Sequence, residues 1–122
     1  METKQRKVLI ADDDLNICKA LKRTLRDRYR VDSTIHPQNV VELHAQNRYD
    51  LLIMDTEMPY PVGYQICEEL RKQDSHLIII GMSSEAGYGK QWIDAGANCF
   101  YHKNISTLRK DIESLIKQYL SQ

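Results

Sequence analysis

Three apolar runs in this chain stop at residues that carry a charge or a hydroxyl. Val8-Leu9-Ile10-Ala11 runs into Asp12-Asp13-Asp14, and Leu51-Leu52-Ile53-Met54 runs into Asp55. Leu77-Ile78-Ile79-Ile80 passes through Gly81-Met82 into Ser83-Ser84, and a shorter run, Cys99-Phe100-Tyr101, ends beside Lys103. If each run is a parallel strand, every one of these polar residues lies at the carboxyl edge of one sheet, where open α/β sheets bind ligands. Clustered carboxylates with a hydroxyl and a lysine suit a magnesium ion and a phosphoryl group. Asp12 and Asp13 can hold the metal, Asp55 can attack phosphorus, and Ser83 and Lys103 can bind phosphoryl oxygens.

Between the runs the apolar pattern changes to helical spacing, and the alternation predicts a parallel α/β sheet. The strands are expected near 7–12, 30–35, 50–55, 77–82 and 98–101. The helices are expected near 15–28, 38–47, 63–72, 88–95 and 106–120. Leu15, Cys18, Leu21 and Leu25 are spaced to face inward from the first helix. Val40, Val41 and Leu43 do so from the second, and Leu108, Ile112, Leu115 and Tyr119 from the fifth. The second strand is short and polar, which places it at the sheet edge. Gly87 and Gly89 are poor helix formers, so the fourth helix should be short or frayed.

The 122 residues make one domain, with a core large enough to stand alone. Seventeen basic and seventeen acidic residues cancel, which argues against nucleic-acid binding by charge. No apolar stretch approaches the roughly 20 residues of a membrane span. The segment Met-Glu-Thr-Lys-Gln-Arg-Lys has no signal-peptide core. The expected location is the cytoplasm. Cys18, Cys67 and Cys99 are scattered and form no C-x-x-C pair, so they are read as small buried hydrophobes. His36, His44, His76 and His102 are dispersed, and none is assigned to chemistry.

The set Asp12-Asp13, Asp55-Thr56-Glu57-Met58-Pro59 with Gly63 following, Ser83, Ala95-Gly96-Ala97 and Lys103 resembles the receiver domain of two-component response regulators. The resemblance runs from Lys7 to about Tyr119 and implies a flavodoxin-like (βα)5 sandwich with parallel strand order 2-1-3-4-5, an order known for a chemotaxis receiver. Right-handed crossovers would then put the first and fifth helices on one face and the other three on the opposite face. It implies Mg2+ as cofactor, with the backbone carbonyl of Glu57 as a further ligand beside Asp12, Asp13 and Asp55. It implies that Ser83 couples phosphorylation to an output face and that Phe100 is the switch aromatic. It implies a histidine kinase or histidine phosphotransfer protein as donor, and an output partner that stays unnamed.

Each site residue has a plainer reading. Helix capping accounts for one of the three aspartates, Asp14, but not for three adjacent like charges, whose repulsion a divalent cation relieves. Asp13 is expected to ligate directly and Asp12 through water. Asp55 could be a turn residue, Ser83 a turn hydroxyl, Lys103 a solvated lysine and Phe100 core packing. The base-rich first helix, with Lys19, Lys22, Arg23, Arg26 and Arg28, is first a solvated face and otherwise a dock for an acidic donor domain.

Some features depart from the family. Asn104 stands where most receivers have Pro, Tyr60-Pro61-Val62 lacks the common Asp before Gly63, and the stretch from Ser83 to Gly96 is short. The expected protein is a single receiver domain over 1–122. The alternatives are the receiver part of a larger DNA-binding or enzymatic regulator, and a haloacid-dehalogenase-type phosphatase. The latter needs an acid Asp where this chain has Glu57.

Overall fold

The computed structural model describes residues 5–57 and 62–120. The expectation about the Tyr60-Pro61 segment therefore falls outside the described residues. Five strands form: β1 (Lys7–Ala11), β2 (Arg30–Thr34), β3 (Leu51–Asp55), β4 (Ile78–Ser83) and β5 (Cys99–His102). They pair in parallel in the order β2-β1-β3-β4-β5, as the resemblance implied. Side chains alternate across a strand, so each run feeds two cores. Leu9, Ala11, Leu52, Met54 and Ile79 belong to one, and Val8, Ile10, Leu51, Ile53, Ile80 and Met82 to the other. Runs apolar at every position are what a sheet covered on both faces requires.

Among the described residues, five α-helices supply the covering: α1 (Leu15–Leu25), α2 (Val40–Asn47), α3 (Gly63–Gln73), α4 (Gly89–Asp94) and α5 (Leu108–Leu120). Cys18, Leu21 and Leu25 of α1 join Leu108, Ile112, Ile116 and Leu120 of α5 in one core. Residues of α2, α3 and α4 line the other. Each fully buried Leu or Ile contributes on the order of 1.5–3 kcal/mol. β2 lies at the edge with only Thr34 buried, which explains its polar sequence.

Several boundaries move. α1 ends at Leu25, because the amides of Arg28 and Tyr29 both turn back to the Leu25 carbonyl, at 3.1 and 3.0 Å. Leu15, expected inward, is 51% exposed as the first residue of α1 at the sheet rim. On α5 the buried stripe is Leu108, Ile112, Ile116 and Leu120, with Leu115 and Tyr119 flanking it half-buried. On α2, Val40 and His44 are buried while Val41 and Leu43 pack at the margin, and a 3-10 turn at Pro37–Asn39 precedes the helix. The fourth helix is short as expected, six residues after a 3-10 turn at Ala86–Tyr88. It stops at Gly96, whose φ of +104° suits glycine and where a Cβ would press on Arg71. Cys18 and Cys67 are buried and Cys99 half-buried, all as free thiols. Among the described residues, no helix is long and apolar enough to cross a membrane.

Candidate phosphoryl and metal site

β1 and β3 are neighbours, so their ends bring Asp12 and Asp55 side by side. Asp12 continues β1 by donating its amide to the Thr34 carbonyl at 3.1 Å. Its side chain is fully buried, and Oδ1 accepts the Asp14 amide at 2.9 Å. Asp14 is the cap of α1, its Oδ1 accepting from the Asn16 and Ile17 amides. The capping reading thus holds for Asp14 alone. Asp13 is exposed at the rim. Carboxylate oxygens of Asp12, Asp13 and Asp55 lie within 4.8 Å of one another, a spacing that could hold a metal ion.

Lys103 enters from beyond β5, positioned by its amide, which donates to the Ser83 carbonyl at 2.7 Å. Its Nζ lies 2.9 Å from Asp12 Oδ2 and 2.7 Å from Asp55 Oδ1. One ammonium therefore serves two buried carboxylates. The charge balance shows in the acidities. Burial, then the charges of Asp12 and Glu57, push the Asp55 carboxyl up to about 6 against the opposing pull of Lys103. Burial likewise raises Asp12, whose bonds to the Asp14 amide and Lys103 only partly offset it. Burial alone would lower Lys103, but its bonds to Asp55 and Asp12 hold its ammonium above the ordinary lysine range. The site is short of positive charge, and with three carboxylates converging it fits a hard divalent cation with oxygen ligands.

Ser83, buried at the end of β4, donates its hydroxyl to the Glu57 carboxylate and accepts the Glu85 amide at 2.9 Å. Ser84 Oγ donates to Glu57 Oε2 at 3.1 Å. The Glu57 side chain thus covers both serines from the β3 side, a role the sequence did not suggest. Phe100 is half-buried against the core beneath α2, α3 and α4. Lys19, Lys22 and Arg23 on α1, and Arg26 and Arg28 just beyond its end, are all exposed.

One further residue went unrecognised in the sequence. Trp92 of α4 is fully buried, and its Nε1 donates to Thr56 Oγ1 at 2.6 Å, directly after Asp55. The available signal was Gly81, the one residue without a side chain in an otherwise bulky strand. A Cβ there would overlap the Trp92 ring.

The response regulator receiver domain family matches residues 8–116. The chain is 32% identical over 111 residues to the response regulator ArlR of Staphylococcus aureus, covering 89% of this chain and 48% of that protein. It spans about half the length of the curated relatives it matches. Among solved structures it resembles the Thermotoga maritima response regulator TrrA in complex with Mg2+ and beryllofluoride. That match has a TM-score of 0.85 and 25% identity, over 94% of this chain and 99% of that one. It also shares the fold of the phosphorylated cyanobacterial phytochrome response regulator RcpA, at a TM-score of 0.88 and 16% identity, over 97% and 96% of the two chains.

Proposed function

The chain belongs to the response regulator receiver family, and on that premise we propose that it accepts a phosphoryl group on Asp55 and uses it as a switch. The observation that carries this reading is Lys103, bridging buried Asp12 and Asp55 at 2.9 and 2.7 Å. A lysine so held is a preset counter-charge where negative charge builds up in phosphoryl transfer.

In the proposed reaction an Asp55 oxygen attacks phosphorus. The bond from phosphorus to the donor breaks, the electron pair leaves with the donor, and an acyl phosphate forms on Asp55. Lys103 and Ser83 take the phosphoryl oxygens, which requires Ser83 to exchange its Glu57 partner. Ser83 and Phe100 then carry the change to the output face. Asp12, Asp13, Asp55 and the Glu57 backbone carbonyl would hold Mg2+, which when bound offsets the repulsion between the carboxylates and the phosphoryl group. The beryllofluoride complex of TrrA supports this assignment.

Receiver membership implies a histidine kinase or histidine phosphotransfer protein as partner, and the exposed base of α1 suits docking of an acidic donor domain. We place the protein in the cytoplasm, read residues 1–122 as one receiver domain, and assign it no nucleic-acid contact of its own. A longer regulator containing this domain is the second reading, supported by the half-length match to ArlR.

The test is labelling by acetyl phosphate, followed by intact mass before and after base treatment. Wild-type protein with Mg2+ should gain one base-labile phosphoryl group. Asp55→Asn should gain none, and Asp13→Asn should need more Mg2+. Labelling of Asp55→Asn, or labelling indifferent to a chelator, would refute the assignment.

A further inference from the structure

Thr56, directly after Asp55, is held by residues on other elements. Thr56 donates both its amide and its hydroxyl to the Met82 carbonyl, at 2.9 and 2.8 Å. The same hydroxyl accepts the Trp92 indole N–H at 2.6 Å. Thr56 and Trp92 are both buried to within one per cent. The bond is therefore shielded from water, and neither group has a solvent partner to fall back on. The Met82 carbonyl belongs to the residue before Ser83, so one hydrogen-bonded chain links α4, the residue after the nucleophile and the residue before the phosphoryl-binding hydroxyl.

Packing is built around the same ring. A Cβ at Gly81 would overlap it, and a Cβ at Gly63 would overlap the Asp55 carbonyl and lie 2.8 Å from Trp92 Cζ2. Tyr64 meets the ring edge-on, with centroids 6.4 Å apart. The indole is thus tightly packed, with its N–H aimed at Thr56.

We propose that Trp92 is a positioning residue for phosphoryl transfer: through Thr56 it sets where the Asp55 carboxylate sits relative to Lys103. The inference rests on the reading of Asp55 as phosphoacceptor. It adds a route from the acceptor to α4 that bypasses Ser83 and Phe100. Any shift of α4 against β3 on phosphorylation would lengthen the Thr56–Trp92 bond or be carried back to Asp55.

The experiment compares wild type, Thr56→Ser, Thr56→Val and Trp92→Phe for rate of labelling by acetyl phosphate in saturating Mg2+. Thr56→Val keeps the shape and removes the hydroxyl. Trp92→Phe keeps a ring and removes the N–H. Both should slow labelling by roughly ten- to a hundredfold, the scale expected when an attacking group is misplaced by a fraction of an ångström to an ångström. Thr56→Ser, which restores the hydroxyl without the methyl, should label at close to the wild-type rate.

Trp92 is the only tryptophan in the chain, so its emission supplies a second readout. Magnesium with beryllofluoride should shift it in wild type and Thr56→Ser but not in Thr56→Val. If Thr56→Val labels like wild type, or Thr56→Ser is as slow as Thr56→Val, the positioning role is overturned. Should Thr56→Val fail to fold, a wild-type labelling rate in Trp92→Phe overturns it alone. Absence of labelling in wild type would instead overturn the phosphoacceptor reading on which it rests.

Discussion

Asp55 and Lys103 touch at 2.7 Å, yet the Asp55 carboxyl stands at about 6, above its ordinary 3.8. Burial outweighs one shared ammonium. Between those two values the folded protein holds a proton that the unfolded chain releases. This group therefore favours folding toward the acid end of the window, and stability falls as pH rises through it. Above about 6 the site carries buried negative charge that a divalent cation would offset. Mg2+ should therefore raise the melting temperature clearly at about pH 8 and little at about pH 5, where protons compete for the same oxygens. Melts with and without Mg2+ at both pH values check this, and equal gains would contradict it. Lys103→Met should push Asp55 higher still, because two buried carboxylates then face each other without a counter-charge. A pH titration of the Asp55 carboxyl resonance reads that shift directly.

At the scale of the elements, the central strands were legible because a sheet covered on both faces needs apolar residues at every position. That is why Val8–Ala11 and Leu51–Met54 announced themselves. Helix limits were less legible, since they depend on turns such as the one returning Arg28 and Tyr29 to Leu25. The carboxylates and Lys103 could be placed from strand ends alone, but partners reached across the fold could not. His44 looked like any dispersed histidine. In the structure it is buried, its Nε2 2.8 Å from Asp74 Oδ2 while its Nδ1 accepts the Tyr49 amide at 3.1 Å. That pair of bonds specifies the tautomer with the proton on Nε2, so the ring donates to Asp74 and ties α2 to the end of α3. Burial would raise Asp74, but bonds from His44 and from the His76 and Leu77 amides hold its carboxyl below the usual range. His44→Phe should cost about 1–3 kcal/mol by leaving buried polar groups unpaired, measured by urea unfolding, with the labelling of Asp55 retained. Gly81→Ala should cost about 1–3 kcal/mol by forcing a Cβ against Trp92. Combining it with Trp92→Ala should cost less than the sum, since the two side chains compete for one space.

Across the whole molecule, the two cores differ in how firmly they hold the site. On one face, the long helices α1 and α5 pack on each other and on the sheet. On the other, the cover above β4 is a six-residue helix led in by a 3-10 turn in which Gly87 has open space around it. Few apolar anchors and a short helix mean a low free energy of local opening. That segment begins right after Ser83, whose hydroxyl is engaged by Glu57 and by the Glu85 amide. On the proposed reading, a phosphoryl group on Asp55 would compete with Glu57 for that hydroxyl, so phosphorylation would act where this short element begins. Hydrogen exchange with and without a Mg2+–beryllofluoride phosphoryl mimic should therefore change most over residues 84–91. The change should fade toward Trp92, which is anchored to Thr56 in the core. The α1–α5 face should keep its protection in both states. Equal exchange of residues 84–91 in the two states would show that Ser83 does not transmit the event, and a change centred on α1 and α5 would place the output on the other face of the sheet.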